Sequence, residues 1–287
     1  MRKLVQWLTL LGSNAYIPGF LNGRIYKGKL KSFCVPGLNC YSCPGALASC
    51  PLGSLQAVIG SRQYRFSFYV TGLLLGFGVL FGRLVCGFLC PFGLLQELLH
   101  KIPFYRVKKT WRWPRYIKYV LLVVFVIGMP LLLRGSMGLG DPAFCKYICP
   151  AGTLTAGFPL LGANPVLRKS IGWLFALKTA IAVAVILGSL AIYRFFCKYL
   201  CPLGAFYGLF NKISLYKLRF EAKNCVNCGA CSRICKMEVD PSRTPDSPEC
   251  IRCGDCVKAC AFSALKAGFF DSQSSAVDRN IAETPKI

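Results

Sequence analysis

Two stretches toward the C-terminus share one cysteine spacing: CVNCGACSRIC, Cys225 to Cys235, and CIRCGDCVKAC, Cys250 to Cys260. Each is C-x2-C-x2-C-x3-C. A segment so crowded with thiols has little apolar material for a core, so it must fold around whatever the thiols bind. Gly229 and Gly254 stand at matching places, where a tight loop lets three thiols converge from one short segment. The whole chain has eighteen cysteines against one histidine in 287 residues. In an apolar chain of this size such spacings belong to metal ligands rather than to a disulfide framework. The one histidine, His100, leaves no pair for bis-histidine haem and has a bland place beside Lys101 at a membrane surface.

The spacing is that of bacterial two-cluster ferredoxins, in which three thiolates of one run and the fourth of the other hold each cluster. It predicts one 4Fe-4S cluster on Cys225, Cys228, Cys231 and Cys260, and a second on Cys250, Cys253, Cys256 and Cys235. Zinc commonly uses paired C-x2-C knuckles, so a third regularly spaced cysteine with a distant fourth favours iron-sulfur. Lys236 and Ala261 replace the proline that usually follows the fourth cysteine, a change that affects a turn and not the ligands.

The rest of the chain is apolar: 54% of all residues are hydrophobic and 16% are charged, against roughly 25% charged in a soluble domain. Apolar runs at 66–83, 116–133 and 172–196 are predicted to span a membrane, and a weaker one at 4–20 is a fourth candidate, with a signal peptide as its alternative. The formal charge of +24 does not indicate nucleic acid here. The basic residues lie in loops such as 24–31 and 106–115, where anionic headgroups are the expected partners.

A second cysteine pattern closes the apolar runs. Arg83, Cys86, Leu89, Cys90, Pro91, Gly93, Leu98, Lys101 and Ile102 recur as Arg194, Cys197, Leu200, Cys201, Pro202, Gly204, Leu209, Lys212 and Ile213 at a constant offset of 111 residues. A third copy, Cys145 to Gly152, has Asp141-Pro142 in place of the arginine, and Cys50-Pro51-Leu52-Gly53 is a partial fourth. The expected fold is an α-helical membrane protein of about four transmembrane helices in two tandem parallel repeats, 1–112 and 113–221. A small α+β two-cluster ferredoxin domain at 222–265 and a flexible tail at 266–287 would follow.

Alternating spans place Cys86, Cys90, Cys197 and Cys201 on one face as a boundary cluster. Proline after each second cysteine holds that cysteine out of helical geometry and starts a new helix. Cys50, Cys145 and Cys149 fall on the opposite face, with Cys43 as the favoured fourth ligand and Cys34 or Cys40 as replacements. Four thiolates do not decide between 4Fe-4S and 2Fe-2S at these membrane sites. Lys178 is expected to snorkel from its span, with tuning of a buried centre as the alternative, and Glu97 and Asp141 to cap or lie at the surface, with proton handling beside a quinone as theirs.

At these residues the chain resembles the membrane-bound polyferredoxin proteins of the NapH and NosR type, over about Phe66 to Leu265. The resemblance implies an electron-transfer subunit of a membrane oxidoreductase complex, passing electrons between the quinone pool and redox partners. Dense positive charge at 101–115 and 194–219, set against the basic 24–31 on the opposite face, puts the ferredoxin domain on the cytoplasmic side of the inner membrane. The expected partners are membrane lipids and redox subunits: a ferredoxin-like donor, a quinone, or an extracytoplasmic flavin or haem protein. The added cysteines of the opposite face depart from that pattern and suggest conduction across the bilayer. A membrane redox or iron sensor, or an assembly factor, is the alternative of a different class, and a zinc-stabilised scaffold is a third.

Overall fold

The computed structural model describes residues 2–60, 68–107, 110–133, 141–169 and 171–269. The chain is mostly helical, with one antiparallel sheet of two strands, Tyr216–Phe220 and Leu265–Phe269, in which Leu218 faces Ala267. The sheet encloses both C-terminal cysteine runs. Of the tail expected at 266–287, the first four residues belong to the second strand, and the remainder lies outside the described residues.

Among the described residues two helices are long and apolar enough to cross a bilayer: Trp113–Leu132, of 20 residues, and Trp173–Ala191, of 19. At about 1.5 Å per residue each reaches roughly 30 Å. Of the most apolar part of Trp173–Ala191 only 17% is buried, so its side chains face outward, away from the core. The other two expected spans are shorter. Phe68–Phe81 has 14 residues and Arg2–Ser13 has 12, while 66 and 67 lie outside the described residues.

The shortening has local causes. Gly82 has φ 54° and ends the Phe68–Phe81 helix. A Cβ there would lie 2.6 Å from Asn211 Oδ1, so glycine is needed both for the turn and for the close approach. After Ala191 the chain becomes extended at Ile192, and Arg194 itself takes φ 52°, a conformation uncommon outside glycine. The run expected to continue to 196 therefore stops at 191.

The short helices that start at the C-P-x-G motifs pack across the two halves. Pro91–Leu99 lies against Trp173–Ala191, whereas Pro202–Phe210 lies against Phe68–Phe81 and Trp113–Leu132. Where they meet, the main core contains Val85, Cys86, Cys90, Phe92, Phe196, Cys201 and Tyr207, and it takes in Ile251 from the C-terminal region.

Two carboxylates hold the C-terminal region on this core. Glu249 accepts from Arg83 Nη1 at 3.0 Å and from Lys118 Nζ. Glu238 accepts from Arg115 Nη2 at 2.9 Å and from Lys198 Nζ at 3.0 Å. Arg83, Lys118 and Lys198 are buried. Arg115 and Lys198, which lie in basic stretches expected to face headgroups or mark orientation, are thus engaged by Glu238. Burial works against the Glu249 carboxylate, but Arg83 and Lys118 outweigh it and hold the group below the ordinary glutamate range. Glu238 is lowered likewise, against burial, by Thr110 and Lys198.

Groups with lowered folded-state pKa stabilise above the unfolded value and lose that contribution as pH falls through the folded one. Docking should therefore hold at neutral pH and weaken below 4.5, the ordinary glutamate value. Glu249→Ala leaves two buried cations unpaired, at a cost of roughly 3 kcal/mol. In limited proteolysis at pH 7 the C-terminal region of that variant should be released faster than in the wild type.

Candidate iron-sulfur sites

Each C-terminal run curls because alternate residues take left-handed backbone. Asn227 and Gly229 have φ 54° and 68°, and their counterparts Arg252 and Gly254 have φ 51° and 80°. Three residues after each fourth cysteine the same conformation returns, at Glu238 and Ser263. This turn does without the proline absent at Lys236 and Ala261. The result is two cavities, one lined by Cys225, Cys228, Cys231 and Cys260, the other by Cys235, Cys250, Cys253 and Cys256. These are the two crossed sets predicted from the spacing. Arg252 anchors the second loop, donating to Asn211 O at 2.6 Å, to Ser214 Oγ at 2.6 Å and to Phe81 O at 3.1 Å.

The C-P-x-G motif works as a helix cap made of sulfur. Cys90 and Cys201 are extended, with ψ 111° and 107°, and the helices Pro91–Leu99 and Pro202–Phe210 begin at the next residue. Proline at the first helical position has no N–H to satisfy. The Gly204 amide donates to Cys201 Sγ at 3.3 Å, a hydrogen bond to sulfur where a helix N-terminus already favours negative charge. Cys50 and Cys149 share the extended backbone, with ψ 126° and 110°, and proline opens the helix that follows each.

Cys86, Cys90, Cys197 and Cys201 are brought together as predicted, all buried and all within electrostatic reach of one another. Two fully buried arginines cross between their motifs. Arg83 Nη2 donates to Cys197 O at 3.0 Å, and Arg194 Nη1 donates to Cys86 O at 2.6 Å. A Cβ on Gly93 would stand 3.2 Å from Arg194 Nη2, and one on Gly204 3.3 Å from Arg83 Nη2. The glycine of the motif therefore leaves room for the guanidinium of the other half. Burial pushes Cys90 up to about 12, so four free thiolates would not share this space without a cation.

Around the second site the structure places a cysteine that the sequence ranked lower. Cys40, Cys50, Cys145 and Cys149 line one cavity with Lys178. Cys43 is buried elsewhere, beside Thr155 and the Gly45 and Ala46 amides, and Cys34 Sγ lies 3.4 Å from Ser54 Oγ. Spacing along the 34–50 loop carries no information on which thiol turns inward, so it does not separate Cys40 from Cys43. Lys178 does not snorkel away: its Nζ donates to Cys145 O at 3.2 Å. Lys31 is buried too, donating to Ala46 O at 2.7 Å near Cys40 and Cys43.

The two membrane-region sites adjoin. A Cβ on Gly37 would stand 2.4 Å from Leu89 O and 2.8 Å from Cys90 Cα, and the next two residues, Leu38 and Asn39, lie beside Cys90 and Cys50 respectively. Neighbouring residues of one loop thus reach both sites, and the sites do not lie a bilayer thickness apart. Tyr207 stands between them, within electrostatic reach of Cys86, Cys90 and Cys50, and its hydroxyl donates to Pro36 O at 3.0 Å. The loop carrying Cys34 to Cys50 dips into the core, and alternation of spans gave no sign of it.

The remaining polar candidates are held in ion pairs or hydrogen bonds. Glu97 accepts from Arg194 Nη2 and the Tyr193 hydroxyl, both at 2.7 Å, and from Arg2. Burial opposes its charge, but these partners keep it ionised below the usual range, unsuited to carrying protons. Asp141 pairs with Lys146, and His100 Nδ1 lies 3.3 Å from Ser189 O.

Zinc at about 2.3 Å from each sulfur needs its ligands nearly in contact, and among the described residues no three Cys, His, Asp or Glu side chains form a group that could hold a single metal ion. Residues 66–114, 120–163 and 174–221 match the 4Fe-4S binding domain family Fer4_5. The chain belongs to the NapH/NosR-type 4Fe-4S proteins.

It is 28% identical over 245 residues to the methylamine utilization ferredoxin-type protein MauN of Methylorubrum extorquens, covering 82% of this chain and 73% of MauN. With the regulatory protein NosR of Pseudomonas aeruginosa it shares 33% over 175 residues, or 56% of this chain and 21% of NosR. An uncharacterised protein of Methanocaldococcus jannaschii matches at 26% over 167 residues, 55% of this chain and 53% of its own length. The chain thus spans about half of that relative. No solved structure matches. The chemistry of this chain is ferredoxin-type iron-sulfur binding.

Exchanging single cysteines separates the two candidate fourth ligands. Cys40→Ser should remove about four iron atoms per chain from anaerobically purified protein, or change the spectrum of one cluster. Cys43→Ser should leave iron content and spectra as in the wild type.

Proposed function

We propose that the chain is a multi-pass inner-membrane electron carrier that passes single electrons along four cysteine sites in series. The observation that carries this reading is their order in space. The first C-terminal site shares its fold with the second through the crossed Cys235 and Cys260. The second site then meets the boundary site, since Gly87 lies against Ile251 O, so closely that a Cβ would come within 2.6 Å, and Arg83 faces Cys250 as well as Cys86. The boundary site adjoins the Cys40, Cys50, Cys145 and Cys149 site through Leu38 and Asn39. Electron tunnelling falls steeply with distance, and a series of adjoining sites suits it.

The clusters, when bound, supply one-electron storage. The protein's own residues do the rest: cysteine thiolates hold iron, motif amides and arginines offset the negative charge, and the apolar core excludes water. Four membrane passes in two tandem units belong to this proposal. They are supported by the outward-facing apolar helices and by the reciprocal contacts of Arg83 and Arg194. The C-terminal region would face the cytoplasm, and the Cys40 site would face a quinone or an extracytoplasmic flavin or haem partner. A sensor or assembly factor has no need of four sites in series, so the geometry favours the carrier.

Iron and acid-labile sulfide per chain test the proposal. About 16 iron atoms are expected, falling by about four when Cys86 and Cys197 are both changed to serine. About eight, unchanged by those substitutions, would sink it.

A further inference from the structure

Gln56 and Gln96 occupy one place in two motifs, six residues after Cys50 and Cys90, so that the pattern extends to C-P-x-G-x-x-Q. Both are buried, at 0% and 1% exposure. Gln96 Oε1 accepts from the Phe196 amide at 3.0 Å, while its Nε2 donates to Phe92 O at 3.3 Å and to Cys197 Sγ at 3.2 Å. Gln56 Oε1 accepts from the Phe144 amide at 3.0 Å, and its Nε2 donates to Leu52 O at 3.2 Å and to Cys145 Sγ at 3.3 Å. The two copies agree in every partner. Each glutamine reaches from the first half of the chain to the first cysteine of the motif it faces in the second half.

The orientation of each amide is settled by its surroundings. The oxygen must face the backbone N–H and the nitrogen a carbonyl, so the second hydrogen of the nitrogen has only the sulfur to meet. In the second half the corresponding residues are Thr155 and Tyr207, whose hydroxyls go to Ala151 O and Pro36 O instead. Each membrane-region site thus receives one glutamine donor.

We infer that Gln96 and Gln56 are positioning residues that set the reduction potentials of the boundary site and of the Cys40 site, through an N–H···S bond to Cys197 and Cys145. The inference rests on the reading of these cysteines as cluster ligands. Reduction adds negative charge that spreads onto the ligating sulfurs. A buried donor therefore stabilises the reduced form more than the oxidised one and raises the potential. A merely structural role, tying the halves together through Phe196 and Phe144, would leave the potentials alone.

Two measurements on the full-length chain, purified anaerobically, decide the matter. Redox titration followed by electron paramagnetic resonance should show one cluster shifted to lower potential in Gln96→Leu and a different one in Gln56→Leu. The expected size is about a tenfold change in the reduction equilibrium, about 59 mV for one electron. Unshifted potentials at full iron content overturn the inference. If a variant loses iron, wild-type protein carrying 15N in the glutamine side chains supplies the answer. A 15N hyperfine coupling to the reduced membrane-region clusters supports the N–H···S bonds, and its absence overturns them. Wild-type protein holding only about eight iron atoms would instead overturn the cluster reading itself and this inference with it, and the iron count distinguishes that outcome from the others.

Discussion

Two guanidinium groups with no exposure to solvent, Arg83 and Arg194, hold the molecule together at its centre. A buried charge is tolerated only when paired and hydrogen-bonded, and each arginine meets that demand by reaching out of its own segment. Arg83 binds Cys197 O in the other half and Glu249 in the C-terminal region, while Arg194 binds Cys86 O and Glu97. The same contacts bring the two C-x3-C motifs face to face and dock the ferredoxin-like region on top of them. Glycine at the fourth place of C-P-x-G follows from this, because the opposing guanidinium fills the space a side chain would take.

A second constraint is the charge of the thiolates themselves. In each C-P-x-G motif the second cysteine caps a helix N-terminus and proline ensures that no donor is wasted at the first helical position, and at Cys201 the amide of the motif's glycine also donates to the sulfur. The first cysteines are served differently: Cys197 and Cys145 by glutamines, Cys86 by Arg83. A core rich in cysteine is therefore also rich in aimed donors, which is what a buried anionic group requires. Lys178 and Lys31 extend the same logic to the second membrane-region site, where no arginine precedes the cysteine motif.

Regular spacing made the grouping of the C-terminal cysteines and of Cys86, Cys90, Cys197 and Cys201 legible, because short loops and a duplicated motif leave few ways for thiols to meet. Hydropathy alone likewise located the helices Trp113–Leu132 and Trp173–Ala191. Other features depended on contacts between segments far apart in the chain. Gln56 and Gln96 were passed over, although the doubled C-P-x-G-x-x-Q pattern was there to be found; a single glutamine in an apolar helix carries no sign of what it faces.

What the sequence by itself determined is the chemistry: a ferredoxin-type spacing, a repeated C-x3-C-P pair and apolar helices all express local geometry, which neighbouring residues suffice to specify. What only the tertiary structure decided is which distant groups meet. The inward turn of the 34–50 loop puts Cys40, and not Cys43, with Cys50, Cys145 and Cys149, and brings that site beside the boundary site. Gly82 and Arg194 cut two apolar runs short of the lengths that hydropathy suggested. Arg115, in a loop that suited lipid headgroups, pairs instead with Glu238. In each case the deciding quantity is the cost of burying a charge or a polar group, which is set by the partners that folding brings to it and not by its neighbours along the chain.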